Sequence, residues 1–174
     1  SFWCQVQRTK TLCVLRPGQC VFATAAPAED RRAAPTIVDT SIEQMRQDDQ
    51  LAVRAKIRSG AYCDHTSGLA NGFLQANLVI LEQSYALDFM RFCQRNPKPC
   101  PLVGVTDTGS PYLRTLGADI DIRSDVPSYH IYRHGVLYFT VGDINDLWND
   151  QMVVFGLVCS FTFDHALIRV GIPV

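Results

Sequence analysis

The apolar positions of the chain change period several times, and each change marks an element. Between Thr40 and Ser59, Ala52, Val53 and Ile57 share one helical face, with Thr40 or Ser41 as N-cap and Gly60 as the stop. The pattern allows a break at Asp48-Asp49. After a polar loop, Leu74 to Leu81 ends in the unbroken apolar run Leu78-Val79-Ile80-Leu81, the mark of a buried strand. Ala86, Phe89, Met90 and Cys93 then recur at helical spacing from a Ser84 cap to Arg95, and Asn96-Pro97-Lys98-Pro99 stops that helix. Leu102 to Thr106 is short and β-branched, so strand, helix and strand predict a βαβ unit with a parallel pair.

Further on, Asp119 to Arg133 alternates well enough for one or two strands around Val126-Pro127, and Val136 to Val141 predicts another. Leu147, Trp148, Met152 and Phe155 fit the inner face of a helix from Ile144 to Val158, capped by Asp143. A last helix, Phe163 to Val170, is closed by Gly171 and Pro173. The class predicted is α/β: a mixed sheet with a βαβ unit and flanking helices, without internal repeats.

The first forty residues read differently. Ser1 to Ala28 holds no Asp or Glu and three basic residues, Arg8, Lys10 and Arg16. A secretory signal fails because Arg16-Pro17-Gly18 interrupts its apolar core, and a transit peptide lacks its amphipathic stripe. An Ala/Pro-rich linker at residues 25–35 places the boundary near residue 40, with an unstructured extension before it and an α/β domain over 41–174. The expected location is the cytoplasm, with a mitochondrial address as the alternative.

Composition narrows the function classes. With 47% apolar and 19% charged residues in 174, the chain has material for a real core. A net charge of −1 provides no concentrated cationic surface for nucleic acid or an acidic membrane. The longest apolar run, Met152 to Cys159, is far short of the roughly 20 residues that span a bilayer. Seven cysteines without a CxxC pair exclude a complete disulfide framework and speak against a zinc site, leaving reduced thiols as the expectation.

Known catalytic signatures are absent: no GxSxG, no dinucleotide fingerprint and no P-loop. His130 and His134 lie in strand-like sequence interrupted by Tyr132 and Arg133, where a spacing of four offers no shared helical face, so no metal is expected. The polar loop offers more. Arg58, Thr66, Ser67, Gln75 and Asn77 place one guanidinium and several neutral hydrogen-bonding groups beside a buried strand, a set suited to a small carboxylate ligand. The alternative is that Gln75 and Asn77 serve backbone groups at the strand entrance while Arg58 is solvated. Asp107, just past a predicted parallel strand, stands where open α/β sheets bind ligands, or else caps a turn through Thr108-Gly109. Arg91, Arg95 and Lys98 complement a helix C-terminus, and Cys159 reads as a small buried residue.

These segments carry a resemblance. R-S-G at 58–60, T-S-G-L-A at 66–70, Q-A-N-L-V-I-L at 75–81 and D-F-M-R-F-C-Q-R-N-P-K-P-C-P-L at 88–102 resemble the hydro-lyase family that includes D-glutamate cyclase. So do G-A-D-I-D-I-R-S-D-V-P at 117–127, D-L-W at 146–148, C-S-F-T-F at 159–163 and G-I-P-V at 171–174. The resemblance covers about residues 50 to 174. It departs from the family pattern at Asp64-His65, Glu82 and Val158, and family members continue past the last segment, so the chain looks truncated.

Membership implies two interlocked subdomains and a lyase that eliminates water from a small amino or carboxylic acid, without a cofactor; the best-defined case closes D-glutamate to 5-oxo-D-proline. Arg58 is then expected to clamp a substrate carboxylate, Thr66, Ser67, Gln75 and Asn77 to hydrogen-bond the substrate, and Asp107 to serve as acid and base. The competing reading is a carboxylate-binding domain or inactive fragment without turnover. An apolar face left open by truncation would favour a homo-oligomer.

Overall fold

The computed structural model describes residues 13–14 and 44–173. The Thr40 or Ser41 cap, the 25–35 linker, the targeting readings and Val174 therefore lie outside the described residues.

Six strands form one mixed sheet: β1 Cys13–Val14, β2 Ala76–Glu82, β3 Leu102–Val105, β4 Tyr129–Arg133, β5 Val136–Val141 and β6 Met152–Val158. Their order across the sheet is β3-β6-β2-β1-β4-β5. Among the described residues three α-helices of a full turn or more accompany them: α1 Gln50–Arg58, α2 Gln83–Arg95 and α3 Phe161–Arg169. The α/β class holds, as do the strands expected near residues 74–81, 102–106 and 136–141.

The Asp48-Asp49 break is real and has a use. Asp49 is the N-cap of α1, accepting hydrogen bonds from the backbone of Leu51 at 3.0 Å and Ala52 at 2.9 Å. Gly60 follows α1 with φ of 75°, the left-handed conformation that ends a helix. Helix α2 begins at Gln83 with Glu82 in the cap position instead of Ser84. Residues 119–128 are mostly turns and bends, with one isolated bridge from Asp121 to Tyr112, and the single strand there, β4, starts only at Tyr129.

One prediction fails outright. Met152 to Val158 is a strand, and only Asn145–Leu147 of the expected helix is helical, as a single 3-10 turn. Met152 through Gly156 are all buried. A strand covered on both faces is apolar at every position, so a helical spacing can be picked out of it by coincidence.

The same strand corrects the βαβ expectation. β6 pairs antiparallel with β2 over seven residues, from Ala76 opposite Val158 to Glu82 opposite Met152, and antiparallel with β3 on its other side. Thus β2 and β3 run the same way, joined by α2, but do not touch. The unit is split by an inserted strand.

Alternation along β2 and β6 sorts the core into two layers. Leu78, Ile80, Met152 and Val154 face a cluster with Leu113, Ile122, Tyr129, Ile131 and Ile144, a layer built from loops and from β4. Leu81, Val153 and Phe155 face α2 through Tyr85, Ala86 and Phe89, with Phe89 meeting Phe155 edge-on at 4.9 Å. The loop layer sits close because β3 carries Gly104: a Cβ there would meet Thr115 Oγ1 at 2.9 Å and Leu113 Cδ1 at 3.1 Å. A third, smaller cluster joins α1 to the loop after it through Met45, Val53, Ile57, Tyr62, Leu69 and Ala70.

Candidate functional site

The loop from Ala61 to Gln75 is polar, yet it is pinned at several points. Burial pushes the Tyr62 hydroxyl up to about 12, so it stays protonated and donates to the His65 carbonyl at 2.6 Å. Thr66 donates from Oγ1 to Gln75 Oε1 at 2.7 Å, and Gln75 Nε2 donates to the Leu69 carbonyl at 2.8 Å. The Gln75 amide therefore spans the loop, with acceptor and donor both used.

The other wall comes from the far end of the described chain. β6 delivers Cys159 and the first turn of α3 beside Gln75. The Gln75 backbone N–H donates to Thr162 Oγ1 at 3.0 Å, and the Thr162 hydroxyl lies 3.1 Å from the Gln75 carbonyl. That carbonyl also accepts from Cys159 N at 3.2 Å, with Cys159 Sγ at 3.6 Å. Ser67 Oγ donates to Asp164 Oδ2 at 3.2 Å. Burial raises the Cys159 thiol, and the nearby Asp164 charge adds to that effect, so Cys159 is a neutral donor and no thiolate nucleophile.

Three of the predicted residues, Thr66, Ser67 and Gln75, thus meet in one cluster. Asn77 is one residue into β2, exposed, and makes no side-chain hydrogen bond among the described residues.

Arg58 is spoken for. Its Nε and Nη2 donate in parallel to the two oxygens of Asp125 at 2.6 and 2.7 Å, which raises its pKa, with Nη2 also 3.4 Å from the Asp119 carbonyl. The bidentate fork expected to grip a substrate carboxylate grips the protein's own, and only the Nη1 edge is left outward. Asp125, with its side chain 1% exposed, is the buried half of the pair. Arg54, one turn earlier, holds both oxygens of Asp119 at 2.7 and 2.6 Å. Arg123 and Asp121 complete the set at 2.7 Å.

Asp107 lies elsewhere. Its carbonyl accepts from Ser110 in a tight turn, and Gly109 N donates to the Met152 carbonyl. That turn adjoins the first residue of β6, whereas Gln75 adjoins the residue after its last. Six residue steps of about 3.3 Å put roughly 20 Å between the two ends, so Asp107 and the Thr66 cluster cannot hold one small molecule together.

Sequence reasoning missed Thr162 and Asp164. One signal was legible: Phe161, Asp164 and Leu167 fall on a single helical stripe, which puts an acid on a core-facing line. One open concavity of about 390 Å³ among the described residues lies apart from these side chains. It is lined by Phe139, Val141, Gly142, Asp143, Asp146 and Leu147 beside β5, and includes none of the predicted residues. Among the described residues, no group of three His, Cys, Asp or Glu side chains could hold a metal ion. Nor is any helix among them long and apolar enough to cross a membrane.

No family model matches the chain. Curated relatives do. A protein of Dinoroseobacter shibae named "Putative hydro-lyase" is 65% identical over 120 residues, 69% of this chain and 40% of its own length. One of the same name from a Jannaschia species is 64% identical over 126 residues, covering 72% and 47%. A third, from Bacillus licheniformis, is 51% identical over 133 residues, covering 76% and 50%. The chain thus spans about half the length of the curated relatives it matches.

Proposed function

We propose that this chain, a sequence relative of the bacterial hydro-lyases over about seven tenths of its length, carries the substrate-binding part of a hydro-lyase for a small amino or carboxylic acid. The substrate that fits this reading best is D-glutamate, closed to 5-oxo-D-proline. In that reaction the α-nitrogen, once deprotonated, bonds to the γ-carboxyl carbon, and a carbon–oxygen bond breaks to release water. The physical needs are a folded substrate, a polarised carboxylate and a route for protons.

The observation that carries the reading is the convergence of Thr66, Ser67 and Gln75 with Thr162 and Asp164. Ser67 and Asp164 are 97 positions apart, and their groups close on one another through the β2–β6 pairing. Short hydroxyls and an amide held this way are preorganised donors and acceptors for a ligand of few atoms. A second reading, carboxylate binding without turnover, is favoured by the Arg58–Asp125 pair and the distance to Asp107, which together leave the cluster without the clamp and base the reaction needs.

The two readings separate in one assay: enantiomer-resolved detection of 5-oxoproline after incubation with D- or L-glutamate. Product from the D form alone supports the enzyme, and Thr66→Val should then lower kcat/KM by about tenfold, the worth of one hydrogen bond to the transition state. Binding of D-glutamate without product supports the second reading. Neither binding nor product sinks both for this substrate.

A further inference from the structure

Helix α3 buries its residues in an unusual way. Its one fully buried side chain is a carboxylate, Asp164, at 7% exposure, while Phe163 and Ile168 on the same helix are half exposed. Taking a carboxylate out of water costs several kcal/mol unless opposite charge or several hydrogen bonds replace the solvent. Asp164 has one donor, the Ser67 hydroxyl at 3.2 Å. Among the described residues no Lys, Arg or His reaches it within ion-pair distance; Arg54, Arg58 and Arg123 hold Asp119, Asp125 and Asp121 instead. The N-terminal end of α3 offsets only part of the charge. Neutral hydroxyls, an amide and a thiol lie around it, and the His65 ring packs on Phe161 of the same helix at 6.2 Å without pairing with the carboxylate. Among the described residues no positive charge balances Asp164, and a ligand can bring one.

We propose that Asp164 is a recognition site for a primary ammonium group, with Ser67 beside it as a neutral partner. With its hydrogen donated to the carboxylate, the Ser67 oxygen keeps its lone pairs as acceptors, so one ammonium can donate to hydroxyl and carboxylate together. The selectivity follows from charge: an amine-bearing acid is preferred to the same skeleton without the amine. This deepens the hydro-lyase reading by separating amino acids from simple carboxylic acids, but the cation site itself does not require that D-glutamate be turned over.

The test uses two ligand pairs on the full chain. Methylammonium chloride, against sodium chloride at equal ionic strength, should raise the melting temperature of the wild type and leave Asp164→Asn unchanged. In calorimetry, D-glutamate should bind the wild type at least about tenfold more tightly than glutarate, which lacks the amine, and Asp164→Asn should bring the two within about twofold, the loss of one charge-assisted contact. Asp164→Glu keeps the carboxylate and must keep a preference for the amine, and a cooperative melt of Asp164→Asn near the wild-type temperature guards against a variant that fails to fold. Equal stabilisation of wild type and a folded Asp164→Asn by methylammonium, or an undiminished preference for D-glutamate over glutarate in Asp164→Asn, overturns the proposal. A methylammonium response in the wild type without D-glutamate binding leaves the cation site standing and removes the glutamate reading.

Discussion

Thr106 shows how one side chain can finish what a short strand leaves incomplete. β3 stops at Val105, yet Thr106 N still donates to the Val154 carbonyl, and Thr106 Oγ1 accepts from Val154 N at 3.0 Å. Val154 has no exposed surface, so no water can replace that acceptor. Thr106→Val is almost isosteric and should cost about 1–3 kcal/mol, the range for a buried donor left unpaired. In a domain of this size that is a fall in melting temperature of roughly 2–4 °C per kcal/mol. Thr106→Ser, which keeps the oxygen, should recover most of it. If the valine variant melts with the wild type, the hydroxyl is not the acceptor that holds β3 to β6.

At the scale of elements, the β4–β5 hairpin is closed by two residues alone. His134 and Gly135 both have positive φ, 48° and 87°, the requirement of the tight turn that matches the twist of two paired strands. An L side chain in that conformation costs roughly 1–2 kcal/mol, so Gly135→Ala should lower stability by about 1 kcal/mol in a denaturant melt. An unchanged midpoint would mean that the hairpin can use another turn. This turn was legible in the sequence, because two strand patterns ended on either side of residues 134–135. β6 was not: Leu147, Trp148, Met152 and Phe155 satisfy a helical period, and only the antiparallel partners on both sides, β2 and β3, decide for a strand. The candidate site divides on the same line. Thr66, Ser67 and Gln75 are conspicuous as short polar groups at a strand entrance, whereas Thr162 and Asp164 acquire meaning only when β6 returns the chain to that entrance. Arg58 was found for the right chemistry and the wrong partner, since nothing local to residues 58–60 reveals that Asp125 will reach it.

For the whole molecule, the question is what ties α1 and its small apolar cluster to the sheet. The cluster of Met45, Val53, Ile57, Tyr62, Leu69 and Ala70 is separate from both sheet layers. Ion pairs bridge the gap: Arg54 to Asp119 and Arg58 to Asp125 fasten α1 to the 117–127 loop, which itself packs on the sheet through Ile120 and Ile122. Hydrogen bonds from Arg54 hold Asp119 below the ordinary carboxylate range, and Arg123 does the same for Asp121. The sign of the pH effect follows. As pH falls below the usual carboxylate value of about 4, the unfolded chain takes up these protons before the folded one does, so stability drops with pH through that window and is fully present above it. Asp119→Asn removes one such group. The stability difference between wild type and this variant should be constant above about pH 5, shrink below about pH 4 and be smaller in high salt, because Asp119 is exposed. A difference that persists undiminished to pH 2 would mean that Asp119 holds α1 by packing or neutral hydrogen bonding, and the fastening would then rest on Arg58 and the buried Asp125 alone.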